Sequence, residues 1–271
     1  MPEIPDLQGY AAYFNKRLPG LAVESAERPL PWIVRATTEE FEDRLPGQVF
    51  KPVYRHAKML FFPFESGLYL AVHAMLTGRY QLVEPKTRVR SKTAWILGLS
   101  DGNQLRYFDE RRMGRTFACT EAEFAEKLPR WTEMGPDVVT ELTEDRFVEV
   151  LKPMRGMIKN IITNERCIAG IGNAYADEVL WEARLHPFHK RSDMSEDDVR
   201  RLYQAIRNVM DWATPIVVQA MEENGLPVHM YRDHLRIHHR PEDTVCPRDN
   251  HRISSITSGG RETNFCRACQ E

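Results

Sequence analysis

Cysteine is scarce and odd in number, five among 271 residues. The first twenty residues carry acids and no continuous apolar stretch, so no secretory leader is expected. Together these exclude a disulfide scaffold and point to metal ligation or free thiols. No apolar run approaches the roughly 18 residues a membrane span needs, and mean hydropathy is −0.49, so no membrane protein is expected. Neither sign of charge dominates: 37 Lys and Arg against 39 Asp and Glu leave −2. That excludes a strongly basic nucleic-acid coat, but not an enzyme with local positive charge along a groove. Repeats and low-complexity tracts are missing too, which excludes collagen and coiled coil. A soluble, cytoplasmic protein is the expectation.

What is present is material for a core, with 42% apolar and 10% aromatic residues. At about 150 residues per domain the length allows two. Between residues 48 and 118 the segments 59–62, 69–73, 94–99 and 104–108 are short, apolar and rich in branched and aromatic side chains. Glu65-Ser66-Gly67 and Asp101-Gly102-Asn103 separate them like hairpin turns. Short strands at this spacing predict a sandwich or barrel. Residues 7–18, ahead of them, read as one covering helix.

Composition changes after Trp131, and residues 134–137 read as a linker into a helical region. Ser195, with Asp198 three residues on, is a helix cap. Val199, Leu202, Tyr203, Ile206, Val209 and Met210 then recur on one helical face. Arg200, Arg201, Gln204, Arg207 and Asn208 form the other face, whose plain reading is solvation. Thr214-Pro215 predicts the start of a further helix, and Asn224-Gly225 its end.

The tail carries three cysteines, Cys246, Cys266 and Cys269. The Cys266-x-x-Cys269 loop lets two thiolates reach one ion, and Gly259-Gly260 folds the intervening segment back toward Cys246. A Cys3His set of this kind is typical of structural zinc. Because such zinc prefers nitrogen and sulfur, His251 is the expected fourth ligand. Asp249, at the position a second C-x2-C would give, is the alternative, and His238 and His239 are near in sequence. Arg261 follows the two glycines at the hairpin tip, where a rigidly held guanidinium suits a phosphate.

Several segments, taken in order, resemble the formamidopyrimidine-DNA glycosylase/endonuclease VIII family. They are Met1–Asp6, Tyr54–Lys58, His73–Gly78, Asp109–Gly114, Ile168–Leu180 with His186-Pro187, and Gly260-Arg261 followed by Cys266-x-x-Cys269-Gln270. The resemblance covers nearly the whole chain. It implies an α+β multidomain protein: an N-terminal β-sandwich with a covering helix (1–131), a helix-two-turn-helix domain (132–228) and a zinc-finger β-hairpin (229–271). It also implies duplex DNA bearing damaged bases or abasic sites as partner, lying in a cleft between domains, with a monomer as the working form.

The resemblance assigns catalysis to Pro2, Glu3, Lys58 and Arg261. With Met1 removed, Pro2 becomes a terminal secondary amine; an α-amino group has a pKa near 8, so an appreciable fraction is an uncharged nucleophile. Glu3 would protonate the sugar oxygen and shuttle protons, and Lys58 would contact the lesion or its phosphate. Asn173 and Arg261 would grip phosphates around the extruded nucleotide, although Asn173 also fits a helix cap. Gly170 and Gly172 would allow close backbone approach. Leu76, Arg111 and Met113 fall where the family fills the hole left by a flipped base. His73, Lys159, Gly172 and Tyr175 are also assigned to the DNA-binding surface. Residues 217–226 do not match the lesion-covering loop of purine-specific members, so the damaged base stays open. The rival expectations are a catalytically inactive damage-binding protein of this fold, and a zinc-stapled protein without a nucleic-acid role.

Overall fold

Aromatic and β-branched residues crowd residues 54–120, and the computed structural model folds this stretch into strands. It describes residues 1–241, 243–258 and 260–270. The chain divides into two compact units, Met1–Thr132 with Thr214–Tyr231, and Glu133–Ala213 with Arg232 onward. Besides breaks after 132 and 231, near the expected 131 and 228, the units break after 213, so that 214–231 packs with the N-terminal residues.

The first unit contains α1 (Ile4–Asn15), β1 (Val23–Glu27), β2 (Tyr54–His56), β3 (Met59–Pro63), β4 (Leu68–His73), β5 (Gly78–Val83), β6 (Thr93–Leu99), β7 (Gln104–Asp109), β8 (Arg115–Thr120) and the short α2 (Phe124–Lys127). Two four-stranded antiparallel sheets form, in the orders β1-β6-β7-β5 and β2-β3-β4-β8. Gly67 and Gly102, each at φ +85°, make the turns read from the sequence. Strand alternation sorts β3 between two cores. Leu60 and Phe62 join Leu70, Val72, Tyr80, Trp95 and Tyr107, while Met59 and Phe61 pack with Phe124 and Leu128 on the outer face. Helix α1 covers the sandwich through Phe14 on Phe62 (5.4 Å between ring centres) and Tyr10 on Tyr80 (4.9 Å). Each such buried side chain contributes about 1.5–3 kcal/mol.

The second unit holds α3 (Glu144–Leu151), α4 (Ile158–Ile162), α5 (Asn173–Glu182), the first part of α6 (Glu196–Asn224), and a hairpin of β9 (Ile253–Ser258) and β10 (Arg261–Cys266). Ser195 caps α6 as expected: its hydroxyl accepts from Asp198 N (3.1 Å), and Asp198 accepts from Ser195 N (2.9 Å). The expected second helix start at Thr214-Pro215 is not there, because α6 runs unbroken through Pro215. The apolar register explains it. Ala213, Val217 and Met221 repeat every four residues and are all buried, while Pro215 sits on the exposed side. Thr214 is no cap; its hydroxyl donates to Gln8 Oε1 at 3.0 Å. The arginine face of α6 is partly anchored, with Arg201 Nε on Ala183 O (2.7 Å) and Arg207 Nη1 on Val138 O (3.2 Å).

Candidate functional site

In the first unit, Pro2 and Glu3 are buried at the head of α1, where Glu3 is the N-cap residue. Glu3 N donates to the Asp6 carboxylate at 2.9 Å, and Leu7 N donates to Glu3 O at 3.0 Å, so the helix start holds Glu3 in place. Pro5, in the first turn, suits a helix start, having no N–H to leave unpaired.

The sheet register gathers the other expected residues of this unit at one end. Met59, His73 and Arg115 are successive partners across β3, β4 and β8. Lys58 lies in the turn just before Met59 and is buried, beside Ala57 at φ +51°. His73 Nδ1 accepts from Met75 N at 3.1 Å. Leu76, half-buried, follows in the loop between β4 and β5; Arg111 and Met113, both exposed, occupy the loop between β7 and β8.

These two loops are joined beneath by residues to which the sequence reading gave no role. Asp109 is fully buried and pairs with Gly78 in the β5–β7 register. Its carboxylate takes the Thr77 hydroxyl, Arg111 N (3.2 Å) and Gly114 N (2.6 Å). Thr77 Oγ1 in turn accepts from Arg111 N at 2.9 Å. Both residues lie inside segments that carried the family resemblance, but nothing in their spacing disclosed the contact.

In the second unit, Arg261 is exposed at the start of β10, opposite Ser258. Gly260 turns there at φ +74°; Gly259 lies outside the described residues. Asn173 is the first residue of α5, so the cap position belongs to Gly172 instead. Asn173 Nδ2 donates to Glu262 O at 2.8 Å, and its Oδ1 is buried without a partner among the described residues. Asn173 and Arg261 line one small cleft with Asn160, Phe188 and Thr263. Of the two expected glycines, Gly170 takes φ +115°, which favours glycine, whereas Gly172 is extended at φ −112°.

Two residues expected at the DNA-binding surface are buried and have partners within this unit. Lys159 is buried and its ammonium meets three oxygens: Asp177 Oδ1 (2.6 Å), Glu262 O (3.1 Å) and Thr263 Oγ1 (2.8 Å). Two of its N–H donors are hydrogen-bonded, to Glu262 O and Thr263 Oγ1, and Asp177 supplies the opposite charge. Lys159 props the backbone next to Arg261 and lines the same cleft as Asn173 and Arg261. Tyr175 is fully buried, its hydroxyl 3.0 Å from His234 Nε2.

Asp177 ties this unit together. Besides Lys159 it meets His238 Nδ1 (2.7 Å) and accepts from Asn264 N (3.0 Å). Its neighbour Glu178 accepts from the backbone N–H groups of Arg236 (3.0 Å), Ile237 (2.9 Å) and His238 (2.9 Å). Burial nevertheless raises the Glu178 carboxyl above its ordinary range. Two consecutive acids in the middle of a largely apolar helix were the available sign that something buried would need them.

The tail cysteines converge, but not on the expected histidine. Donor atoms of Cys246, Asp249, Cys266 and Cys269 all lie within 4.8 Å of one another. His251 is instead exposed; its backbone N–H donates to Asp249 Oδ1 at 3.0 Å, which turns that carboxylate inward. The same N–H is the main reason Asp249 is held down at about 2. Cys269 is pushed up to about 12, first by burial and then by the neighbouring sulfurs. Three thiols and an ionised carboxylate so close together fit a cation, since only a metal lets the sulfurs ionise side by side. The Cys246–Cys269 sulfur separation is 3.8 Å, about the edge of a tetrahedron with 2.3 Å metal–sulfur bonds. Trp181 Nε1 donates to Cys246 Sγ at 3.3 Å, an outer contact that orients the thiolate.

Among the described residues no helix is long and apolar enough to cross a membrane. Two family models match in order. The formamidopyrimidine-DNA glycosylase N-terminal domain matches residues 1–116, and the formamidopyrimidine-DNA glycosylase H2TH domain residues 134–221. Curated formamidopyrimidine-DNA glycosylases align from end to end. That of Pelotomaculum thermopropionicum is 29% identical over 283 residues, covering 100% of this chain and 99% of its own length. That of Listeria monocytogenes is 27% identical over 278 residues, covering all of both. A crystal structure of the Lactococcus lactis enzyme, bound non-covalently to DNA containing an abasic site, superposes with a TM-score of 0.87 at 24% identity over 100% of both chains. The sandwich, the helical region and the cysteine-bearing hairpin thus follow in the order the resemblance implied, and the chain belongs to the formamidopyrimidine-DNA glycosylase/endonuclease VIII family.

Proposed function

We propose that this chain is a bifunctional DNA glycosylase and abasic-site lyase of base excision repair, acting on duplex DNA through Pro2. The observation that carries the reading is a buried carboxylate, Glu3, held at the N-cap of α1 directly after Pro2. The family's end-to-end alignment supports it.

Removal of Met1 frees the Pro2 amine. Its lone pair forms a bond to the sugar C1′ while the N-glycosidic bond breaks and the damaged base leaves with those electrons and a proton. Glu3 protonates the ring oxygen, opening the sugar to an iminium ion. That ion is an electron sink, so loss of a C2′ proton expels the 3′ phosphate, and a second elimination expels the 5′ phosphate. Water then hydrolyses the remnant from Pro2. Lys58 and His73, at the end of the sheet, are assigned to the lesion side, and Leu76, Arg111 and Met113 to the vacated stack. Asn173 and Arg261 hold phosphates.

Cys246, Asp249, Cys266 and Cys269 hold one structural zinc, whose chemistry is to staple the hairpin and not to react. The working form is a monomer, in the cytoplasm with the DNA.

Borohydride trapping on an abasic-site duplex tests the reading, with mass spectrometry of the N-terminus. A covalent adduct mapped to Pro2 is expected. Glu3→Gln is expected to abolish base excision while DNA binding stays within about threefold. Protein shown to start at Pro2 that forms no adduct would refute the reading.

A further inference from the structure

The loop that carries Arg111 and Met113 is exposed, the one that carries Leu76 is half-buried, and both are locally strained. Met75 (φ +47°) and Arg112 (φ +55°) both occupy the left-handed region that non-glycine residues rarely adopt. Such geometry persists only where its surroundings over-determine it. Here they do. Asp109 contributes an entirely buried carboxylate, whose oxygens are engaged by the Thr77 hydroxyl and the N–H groups of Arg111 and Gly114. Arg112 N bonds the Asp109 carbonyl at 3.1 Å. Thr77 closes the loop from the other side by accepting from Arg111 N at 2.9 Å.

We infer that Asp109 and Thr77 form a staple that positions the stack-filling side chains for duplex DNA, an inference that rests on the glycosylase reading above. The physical reason is load. A side chain inserted into a base stack is pushed back by the stacking it displaces, at a cost of a few kcal/mol per step. Loops that could relax would withdraw the wedge instead of holding the gap open. With the carboxylate clamping both ends of the 110–114 loop, and Thr77 tying it to the 74–77 loop, Leu76, Arg111 and Met113 present one pre-set surface. Neither Asp109 nor Thr77 reaches the reacting atoms; both are positioning residues. The sequence has the fitting choices. Aspartate accepts from several donors at once, and threonine donates through its proton while its lone pair takes Arg111 N–H.

The test separates positioning from general damage by using two substrates. A single-stranded abasic-site oligonucleotide has no partner strand and no gap to hold open; a duplex with a base lesion has both. Thr77→Val keeps shape and deletes the hydroxyl, and Asp109→Asn turns one acceptor into a donor facing another donor. Both variants are expected to lose about tenfold or more in duplex excision, with single-strand cleavage within about twofold of the parent. Thr77→Ser, which keeps the hydroxyl, is expected to stay within about twofold on both. Discrimination between opposite bases is expected to narrow in the two defective variants.

Equal losses on both substrates, or full duplex activity in Thr77→Val, would overturn the inference. Should Asp109→Asn fail to fold, Thr77→Val decides alone. A parent protein that cleaves neither substrate would strike the glycosylase reading itself, an outcome distinct from a parent that cleaves both and variants that lose them in proportion.

Discussion

Tyr107 sets up a sharp test of packing beneath the exposed loops. Its ring stacks on Trp95 (5.6 Å between centres), and its hydroxyl is buried with no partner among the described residues. Two glycines close over that hydroxyl. A Cβ on Gly114 would stand 2.1 Å from it, with Asp109 Oδ2 and Tyr107 Cζ next at 3.1 Å. A Cβ on Gly78 would also stand 2.1 Å from it, but would in addition lie 2.6 Å from the backbone oxygen of Ala74. Neither glycine has a positive φ, so sterics alone decide. Gly114→Ala is expected to cost about 1–3 kcal/mol by overpacking. In a Tyr107→Phe background the nearest approach relaxes to 3.1 Å, and the cost should fall below about 1 kcal/mol, partly offset by the lost chain entropy of the unfolded state. The coupling is thus up to about 2 kcal/mol, readable in a double-mutant cycle. Gly78→Ala should remain damaging in both backgrounds, because the Ala74 carbonyl does not move away with the hydroxyl. Tyr107→Phe alone should be neutral or mildly stabilising, since it removes an unsatisfied buried polar group. Thermal unfolding reads these differences at roughly 2–4 °C per kcal/mol. Gly114→Ala as harmful in the Tyr107→Phe background as in the parent, or Gly78→Ala rescued by that background, would refute the reasoning.

Three further outcomes follow from the second unit and from α6. Lys159→Met leaves the fully buried Asp177 without its cation and should cost about 3–5 kcal/mol in urea unfolding; a loss below about 1 kcal/mol would mean Lys159 is not the prop described. Metal analysis of purified protein should give about one zinc per chain, with Asp249→Ala lowering occupancy far more than His251→Ala; the reverse order would restore histidine as the ligand. Pro215→Ala should raise stability by about 1 kcal/mol or more, because an exposed mid-helix position regains its N–H bond. A drop in melting temperature would show that the proline holds a needed bend in α6.

Much of the site was legible because its signals are local. A hairpin needs its turn glycine within two or three residues of its strands, and Gly67 and Gly102 stand where the sequence placed them. Ser195 and Asp198 cap α6 because the two bonds span only three residues. Pro2-Glu3, Cys266-x-x-Cys269 and the order of the family segments are likewise read along the chain. Thr214-Pro215 misled for the opposite reason. The local rule favours a helix start, but the apolar register of Ala213, Val217 and Met221 passes straight through it.

By itself, then, the sequence determined four of the eight sandwich strands (β3, β4, β6 and β7), the capped helix, the cysteine-bearing hairpin and the family, since alternation, caps and short spacings act within one element. Only the tertiary structure decided which side chains serve those elements from a distance. It put Asp249 rather than His251 among the cysteines, because a backbone N–H two residues on turns the carboxylate inward. It also set Lys159 against Asp177, Glu262 and Thr263, up to 104 residues away along the chain. Such choices are settled by burial and by the pairing of every buried donor and acceptor, and no spacing along the chain records them.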